Sequence, residues 1–371
     1  MCAVALTTGR IKLRVPELER AGLDPDPDVN YRHAFADLAM RDGSDPYLAV
    51  GRAEVARRLG RPDEALHLAK GAAETFVRAG DVGGAAWSLW SVGSTLRQVG
   101  ALTEATHVLR DAVAGSAYAQ DETGYRYAVA GVAESLRTRG EYRPAWHGHI
   151  RALSLFRQAG DIRGVVWALE GLGQIRRMRR DFVRSKDLFE RALHWSEVSE
   201  DVRGRGYARK GVGEALSSMG DHANAVRYLI DGCVDLERTG SIIAHGYGRK
   251  ALGDGCRRAG RLNEALQEYS RARTLFVAAN DPRGWGYVED GIGDVHRATR
   301  DFSAAIEHYQ LAISLFRASG AQSGLRISCT SLAAVGGEDY WEGDHTIEPV
   351  AMGGAIAPVR IAYRTLIGSG P

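Results

Sequence analysis

The sequence predicts an all-α fold, a superhelical solenoid of about seven helical hairpins with capping helices. Three observations predict it. The chain repeats itself every forty residues: Asp81, Asp121, Asp161, Asp201 and Asp281 fall in register, with Ser241 at the remaining place. Each unit carries two apolar stripes of helical period, separated by a breaker. Small residues then recur at two fixed places of the second stripe. A fixed period of this length marks a stacked-repeat architecture, because one hairpin cannot bury both its faces alone.

Numbering each unit from its Asp, places 4 to 18 form the first helix. Gly84, Gly124, Gly164, Gly204 and Gly284 lie at its start. Place 20 is the breaker, as Gly60, Gly100, Gly140, Gly220 and Gly260, with Arg180 and Arg300 as exceptions. Places 22 to 37 form the second helix, so the unit is an αα-hairpin. Place 25 is Ala65, Ala105, Ala145, Ser185, Ala225, Ala265 and Ala305; place 32 is Ala72, Ala112, Ala152, Ala192, Gly232, Ala272 and Ala312. Side chains this small let neighbouring helices approach closely. Place 29 supplies bulk, in Phe189, Leu229, Tyr269 and Tyr309. The units run over 41–320. Residues 1–40 form an N-terminal segment with a cap helix over 28–41, 321–337 a C-terminal capping helix, and 338–371 an off-pattern tail. Tyr340, Trp341, Ile361, Tyr363 and Leu366 make that tail too apolar for a purely solvated segment, which favours an ordered one, lying along the solenoid as a strand or in its groove.

Composition bounds the function classes. The chain has 371 residues, 44% hydrophobic and 25% charged, with a formal net charge of +2, as an ordinary globular protein has. So small a net charge gives no general pull toward nucleic acid or anionic membrane. The start, MCAVALTTGRIKLRVPELER, has no basic region before its apolar stretch and reads as no signal peptide, and no run is long enough to span a bilayer. Cys2, Cys233, Cys256 and Cys329 are far apart and form no C-x-x-C pair, so neither a disulfide framework nor a zinc site is expected, and a cytoplasmic location fits best.

Leu172-Gly173, Ser185, Phe189 and Ala192 resemble the tetratricopeptide repeat consensus, as do Ile292-Gly293, Ala305, Tyr309 and Ala312. The forty-residue period resembles the subclass in spindle-orientation adaptors and in the sensor regions of actinobacterial antibiotic-regulatory transcription factors. The resemblance covers about 41–335 and implies a right-handed superhelix whose first helices face a concave groove. It also implies a regulatory or assembly role, although the upstream P-loop of those regulators, GxxxxGK[ST], is absent from the sequence.

On the first helix, places 8, 12, 15 and 16 form the core side, with Val92, Leu96, Leu172, Ile175, Val212 and Ile292. Places 7, 10, 14 and 17 lie opposite, on the side that the resemblance turns to the groove. Place 7 is aromatic throughout: Tyr47, Trp87, Tyr127, Trp167, Tyr207, Tyr247 and Tyr287. It serves either packing or an extended ligand. Place 14 is largely acidic and place 17 is arginine in all units but one, where Ser217 stands. These rows either pair with each other at i,i+3 or offer arginine forks to a partner's carboxylates. Place 10 alone varies, as Val50, Trp90, Ala130, Glu170, Lys210, Lys250 and Asp290, and a groove-facing place that varies is where specificity is written. The candidate ligand-binding residues are therefore Trp90, Tyr127, Trp167, Glu170, Arg177, Tyr207, Lys210, Tyr247, Lys250, Tyr287 and Asp290. The apolar part of a ligand is expected near Trp90 and its charged part near Lys210 and Lys250.

No nucleophile elbow, H-E-x-x-H or Walker motif occurs, so no catalytic residue, metal ligand or cofactor is expected. His147 and His149 have no metal-site spacing, and His149, at place 29, reads as a hydrogen-bonded interior histidine. The polar cluster of Glu338, Asp339, Glu342, Asp344 and His345 likewise lacks such spacing. The acidic row beside the arginines argues against a phosphate track and hence against nucleic acid. The function expected is a non-catalytic module holding a peptide or protein segment in its groove; the alternative is a biosynthetic enzyme using that groove as an active site.

Overall fold

The computed structural model describes residues 45–336 and 357–368. Among them are sixteen helices and no strand, with consecutive helices packed on one another. Seven helical hairpins follow in order: α1 (Pro46–Arg58) with α2 (Pro62–Ala79), α3 (Val82–Val99) with α4 (Leu102–Tyr118), and α5 (Glu122–Arg139) with α6 (Tyr142–Gln158). Next come α7 (Ile162–Met178) with α8 (Phe182–Val198), α9 (Val202–Met219) with α10 (His222–Arg238), α11 (Ile242–Arg258) with α12 (Leu262–Ala278), and α13 (Pro282–Ala298) with α14 (Phe302–Ala318). Two single helices close the chain, α15 (Gln322–Ala333) and α16 (Ala357–Leu366). No helix among the described residues is long and apolar enough to cross a membrane. The N-terminal cap helix and the acidic cluster around Glu338 lie outside the described residues.

The recurring Asp is an N-cap with two tasks. In Asp81, Asp121 and Asp281, Oδ1 accepts the backbone N–H of the glycine three residues on, at 2.8, 3.1 and 2.9 Å. Such a cap satisfies one of the helix's orphan donors. Oδ2 takes a side-chain donor from the preceding unit: Tyr47 Oη to Asp81, Trp87 Nε1 to Asp121 at 2.7 Å, and Tyr247 Oη to Asp281 at 3.2 Å. One carboxylate thus starts a helix and ties that helix to its neighbour. Ser241 caps α11 through its hydroxyl at 3.3 Å.

The turn at place 20 takes a left-handed backbone whether or not it is glycine. Gly100 has φ +93°, and Arg180 and Arg300 adopt +61° and +63°. A non-glycine residue there costs roughly 1–2 kcal/mol; the two arginines show that packing around the turn, rather than glycine, imposes it. Every residue at places 25 and 32 is buried. Ala192 and Ala272 are 0% exposed, so Ala192→Leu or Ala272→Leu should destabilise the fold by about 1–3 kcal/mol through overpacking. A thermal melt should show that loss, and with neighbour-coupled units the transition should also broaden.

The superhelix comes round on itself. A Cβ placed on Gly60, in the first turn, would lie 2.8 Å from the Cα of Ala279, five units later. One placed on Gly100 would lie 1.6 Å from the carbonyl oxygen of Ser319. The concave side is therefore wrapped around a central space, with hairpins from the two ends brought close together.

The tail is a helix where it is described, neither a strand nor a groove occupant. α16 packs on α2, α3 and α4, with Val359, Tyr363 and Ile367 buried in the core cluster that includes Phe76. Arg360 Nε and Arg364 Nη2 donate to the two carboxylate oxygens of Asp111, at 2.5 and 2.8 Å. Tyr363 Oη donates to the Asp111 carbonyl at 3.3 Å. Period and composition could not show this, because the receptor lies in a single unit: Asp111 and Gly115 are the only Asp–Gly pair at places 31 and 35.

Candidate ligand cavity

The first helices α3, α5, α7, α9, α11 and α13 present their groove-side places to one cavity of about 620 Å³. All eleven sequence-chosen residues, Trp90, Tyr127, Trp167, Glu170, Arg177, Tyr207, Lys210, Tyr247, Lys250, Tyr287 and Asp290, line it. They differ in how much they hold back for a ligand.

The aromatic row serves packing first. Tyr47, Tyr127, Tyr247 and Tyr287 meet Phe76, Phe156, Phe276 and Phe316 of their own hairpins edge to face, at 4.5, 5.1, 4.8 and 4.8 Å between centroids. Offset edge-to-face pairs match the ring quadrupoles. Trp90 is 5% exposed and donates Nε1–H to the Tyr127 carbonyl at 3.1 Å. Tyr127 also stacks on Trp167, 6.1 Å away.

The acid and arginine rows pair with each other, within units and between them. Arg137 makes a two-pronged contact with Glu134 at 2.7 and 2.6 Å. Arg177 reaches Gln174 of its own unit and Glu214 of the next, at 2.9 and 3.4 Å; Arg257 reaches Asp294 at 3.2 Å. Although burial opposes its ionisation, Glu214 is held at about 2 by Arg177 and Lys210. Lys250 donates to Asp254 at 2.6 Å, and Lys210 lies 3.6 Å from Glu214. The ring beneath Lys250 is Tyr287 of the following unit, 5.3 Å away. Tyr247, one helical turn earlier in sequence, gives its hydroxyl to Asp281 instead.

Two place-10 carboxylates behave differently from these. Burial pushes Glu170 up to about 8, only partly offset by Arg203, and its Oε1 is buried with no hydrogen-bond partner among the described residues. Burial raises Asp290 to about 6, against a hydrogen bond of 2.6 Å from Ser328. At neutral pH Glu170 is a neutral acid inside the cavity, able to donate as well as accept. Because its folded value lies above its ordinary one, its contribution to stability is complete below about 4.5 and is lost as pH rises toward 8. Glu170→Gln should remove that loss, leaving the variant more stable than the parent at pH 9 but not at pH 5. Urea midpoints at the two pH values measure it.

His149 corrects an expectation. It is 0% exposed, but neither ring nitrogen has a hydrogen-bond partner among the described residues. Burial lowers it to about 4, so the ring is neutral. It fills the space beneath Gly171, where an added Cβ would lie 2.2 Å from its ring. Place 29 wants bulk, and imidazole supplies it without a bond.

Sequence reasoning missed one cationic row. Arg163, Arg203 and Arg283, at place 3, also line the cavity. The signal was the Asp-x-Arg-Gly opening of the unit, which reads as a repeat signature until the structure turns its arginine inward. With this row the lining holds twelve Arg and Lys against seven Asp and Glu.

No family model matches the chain, and no curated relative matches it either. Solved structures do. A Rap protein complexed with Competence and Sporulation Factor superposes with a TM-score of 0.57 at 13% identity, over 86% of this chain and 95% of that one. The Cut9 and Hcn1 hetero-tetramer of the APC/C gives 0.57 at 14% identity, over 84% and 54%. A tetratricopeptide repeat protein from Parabacteroides merdae is similar over 80% and 99%, at 14% identity and a TM-score of 0.45. At these identities the likeness is one of fold.

Proposed function

We propose that the chain is a binding module that holds a peptide or protein segment in the central cavity, in a regulatory or assembly role. The observation that carries this reading is that five unrepeated place-10 side chains, Trp90, Glu170, Lys210, Lys250 and Asp290, and the aromatics from Tyr127 to Tyr287 line one space of about 620 Å³. That volume is in the range of pockets that enclose a ligand. A scaffold needs its repeated contacts, and the repeated acid–arginine ladder supplies them. It has no need of a neutral buried carboxyl in one unit and lysines in the next two. The two similar structures support the reading at the level of architecture, one being a complex with Competence and Sporulation Factor and the other the Cut9–Hcn1 hetero-tetramer.

The test is selection of a displayed peptide library on the purified protein, followed by titration of the enriched peptides. Lys210→Gln with Lys250→Gln should weaken the selected peptides at least tenfold while leaving helicity intact. Enrichment of no sequence, or affinities unchanged in the double variant, would count against cavity binding.

A further inference from the structure

Closure of the superhelix brings arginines from opposite ends of the chain to one place. Arg97 and Arg137 stand on α3 and α5, and Arg283 on α13; all three line the cavity, with Arg57 of α1 beside them. The fields of Arg283, Arg57 and Arg137 all act on Arg97, and that of Arg283 on Arg137. Few carboxylates answer them. Glu54 is held by Arg57 and Arg58, each at 2.7 Å. Glu134 already takes both prongs of Arg137, and Arg97 approaches it only to 3.8 Å.

The donor count is more telling than the charge count. Arg97 makes no hydrogen bond among the described residues, although its side chain is only 21% exposed. Arg283 spends one donor, Nε, on the Tyr247 hydroxyl at 3.2 Å. A guanidinium has five donors in a planar fork. Burial opposes the charge of Arg283, but Tyr247, Asp281 and Tyr287 more than offset it. The Arg97 fork, largely withdrawn from water and facing like charges, is the cost to the fold that an anion would relieve, with Arg283's remaining donors close by. Burial, opposed by Glu134 and reinforced by Arg283, Arg57 and Arg137, brings Arg97 down to about 10.

We infer that this arginine cluster, assembled only when the seventh hairpin closes on the second and third, is the subsite for carboxylate side chains of an acidic peptide segment. The inference rests on the binding-module reading and names the chemistry of its partner. Planar carboxylates suit the guanidinium fork, two parallel N–H···O bonds to each. The neutral Glu170, farther along the same lining, accommodates an acidic segment without adding repulsion. Because the cluster draws on both ends of the solenoid, an occupant would also hold the closed form together.

Fluorescence anisotropy with a labelled hexaglutamate peptide tests this, with hexalysine and a Ser/Gly peptide of equal length as controls. Hexaglutamate should bind the parent, and Arg97→Gln with Arg283→Gln should weaken it at least tenfold. Arg191→Gln, an exposed arginine on α8, should not change it. Inorganic phosphate at equal ionic strength to added chloride separates the sources: competition specific to phosphate would mean a small-anion site and overturn the peptide assignment. Binding equal in the parent and the double variant would also overturn it. If the control peptides bind in the cavity and hexaglutamate does not, the carboxylate inference fails while the module reading stands. If no peptide of any charge binds, the module reading fails with it.

Discussion

Phe276→Ala should cost about 3–5 kcal/mol, the usual range for emptying a buried aromatic site. Phe276 is 0% exposed, and its ring, carried on α12, meets the first helices α11 and α13. An added Cβ on Gly284 would lie 2.3 Å from it and one on Gly246 2.9 Å, so both glycines are cut to its shape. Tyr247 also meets it edge to face at 4.8 Å. Removing the ring leaves a void between α11, α12 and α13 that rigid helices cannot collapse to fill. It also frees Tyr247, whose hydroxyl holds Asp281 at the start of α13. Since neighbour contacts carry solenoid stability, the loss should appear as a separate early transition of the C-terminal units rather than a uniform shift. Calorimetry distinguishes the two; a melt within error of the parent would show that Phe276 does not couple these hairpins.

Gly115→Leu should detach the C-terminal helix altogether. A Cβ on Gly115 would lie 1.2 Å from Tyr363 Oη, so no leucine rotamer leaves room for the docked tyrosine. Other units carry larger side chains at the same place, including Leu155 and Leu275, so leucine there is compatible with the hairpin itself. Amide exchange over 357–367 should rise by orders of magnitude, toward unprotected rates, with the hairpins' own protection preserved. Asp111→Arg should act in the same direction through charge, since it meets Arg360 and Arg364 with a like sign. Restoring protection by Arg360→Glu with Arg364→Glu in the Asp111→Arg background would show the ion pairs at work. Unchanged exchange in Gly115→Leu would mean that the helix docks elsewhere.

Much of the architecture was legible because repetition multiplies a weak signal. A single alanine says little, but alanine or an equally small residue at place 25 in seven units says that helices touch there, and each proves buried. The left-handed turn was legible from glycine, and its persistence at Arg180 and Arg300 shows that the neighbours enforce it. The inner face was legible from helical angle alone, which is why all eleven chosen residues line one cavity. Their division of labour was not. Whether Tyr247 faces a ligand or an aspartate in the next unit depends on a contact thirty-four residues away.

The sequence by itself determined the unit: its two helices, its caps and turns, its core and inner faces, and the stacking that follows when a hairpin cannot bury both sides. These are short-range properties, and a helical period encodes them locally. Only the tertiary structure decided what happens when seven units accumulate their small rotations. That sum brings Gly60 to Ala279 and Gly100 to Ser319, shapes the cavity, and sets Arg283 against Arg97. It also allows a helix at the C-terminus to dock on Asp111 of the second hairpin. No period contains such contacts, because they join residues some two hundred apart through the geometry of everything between.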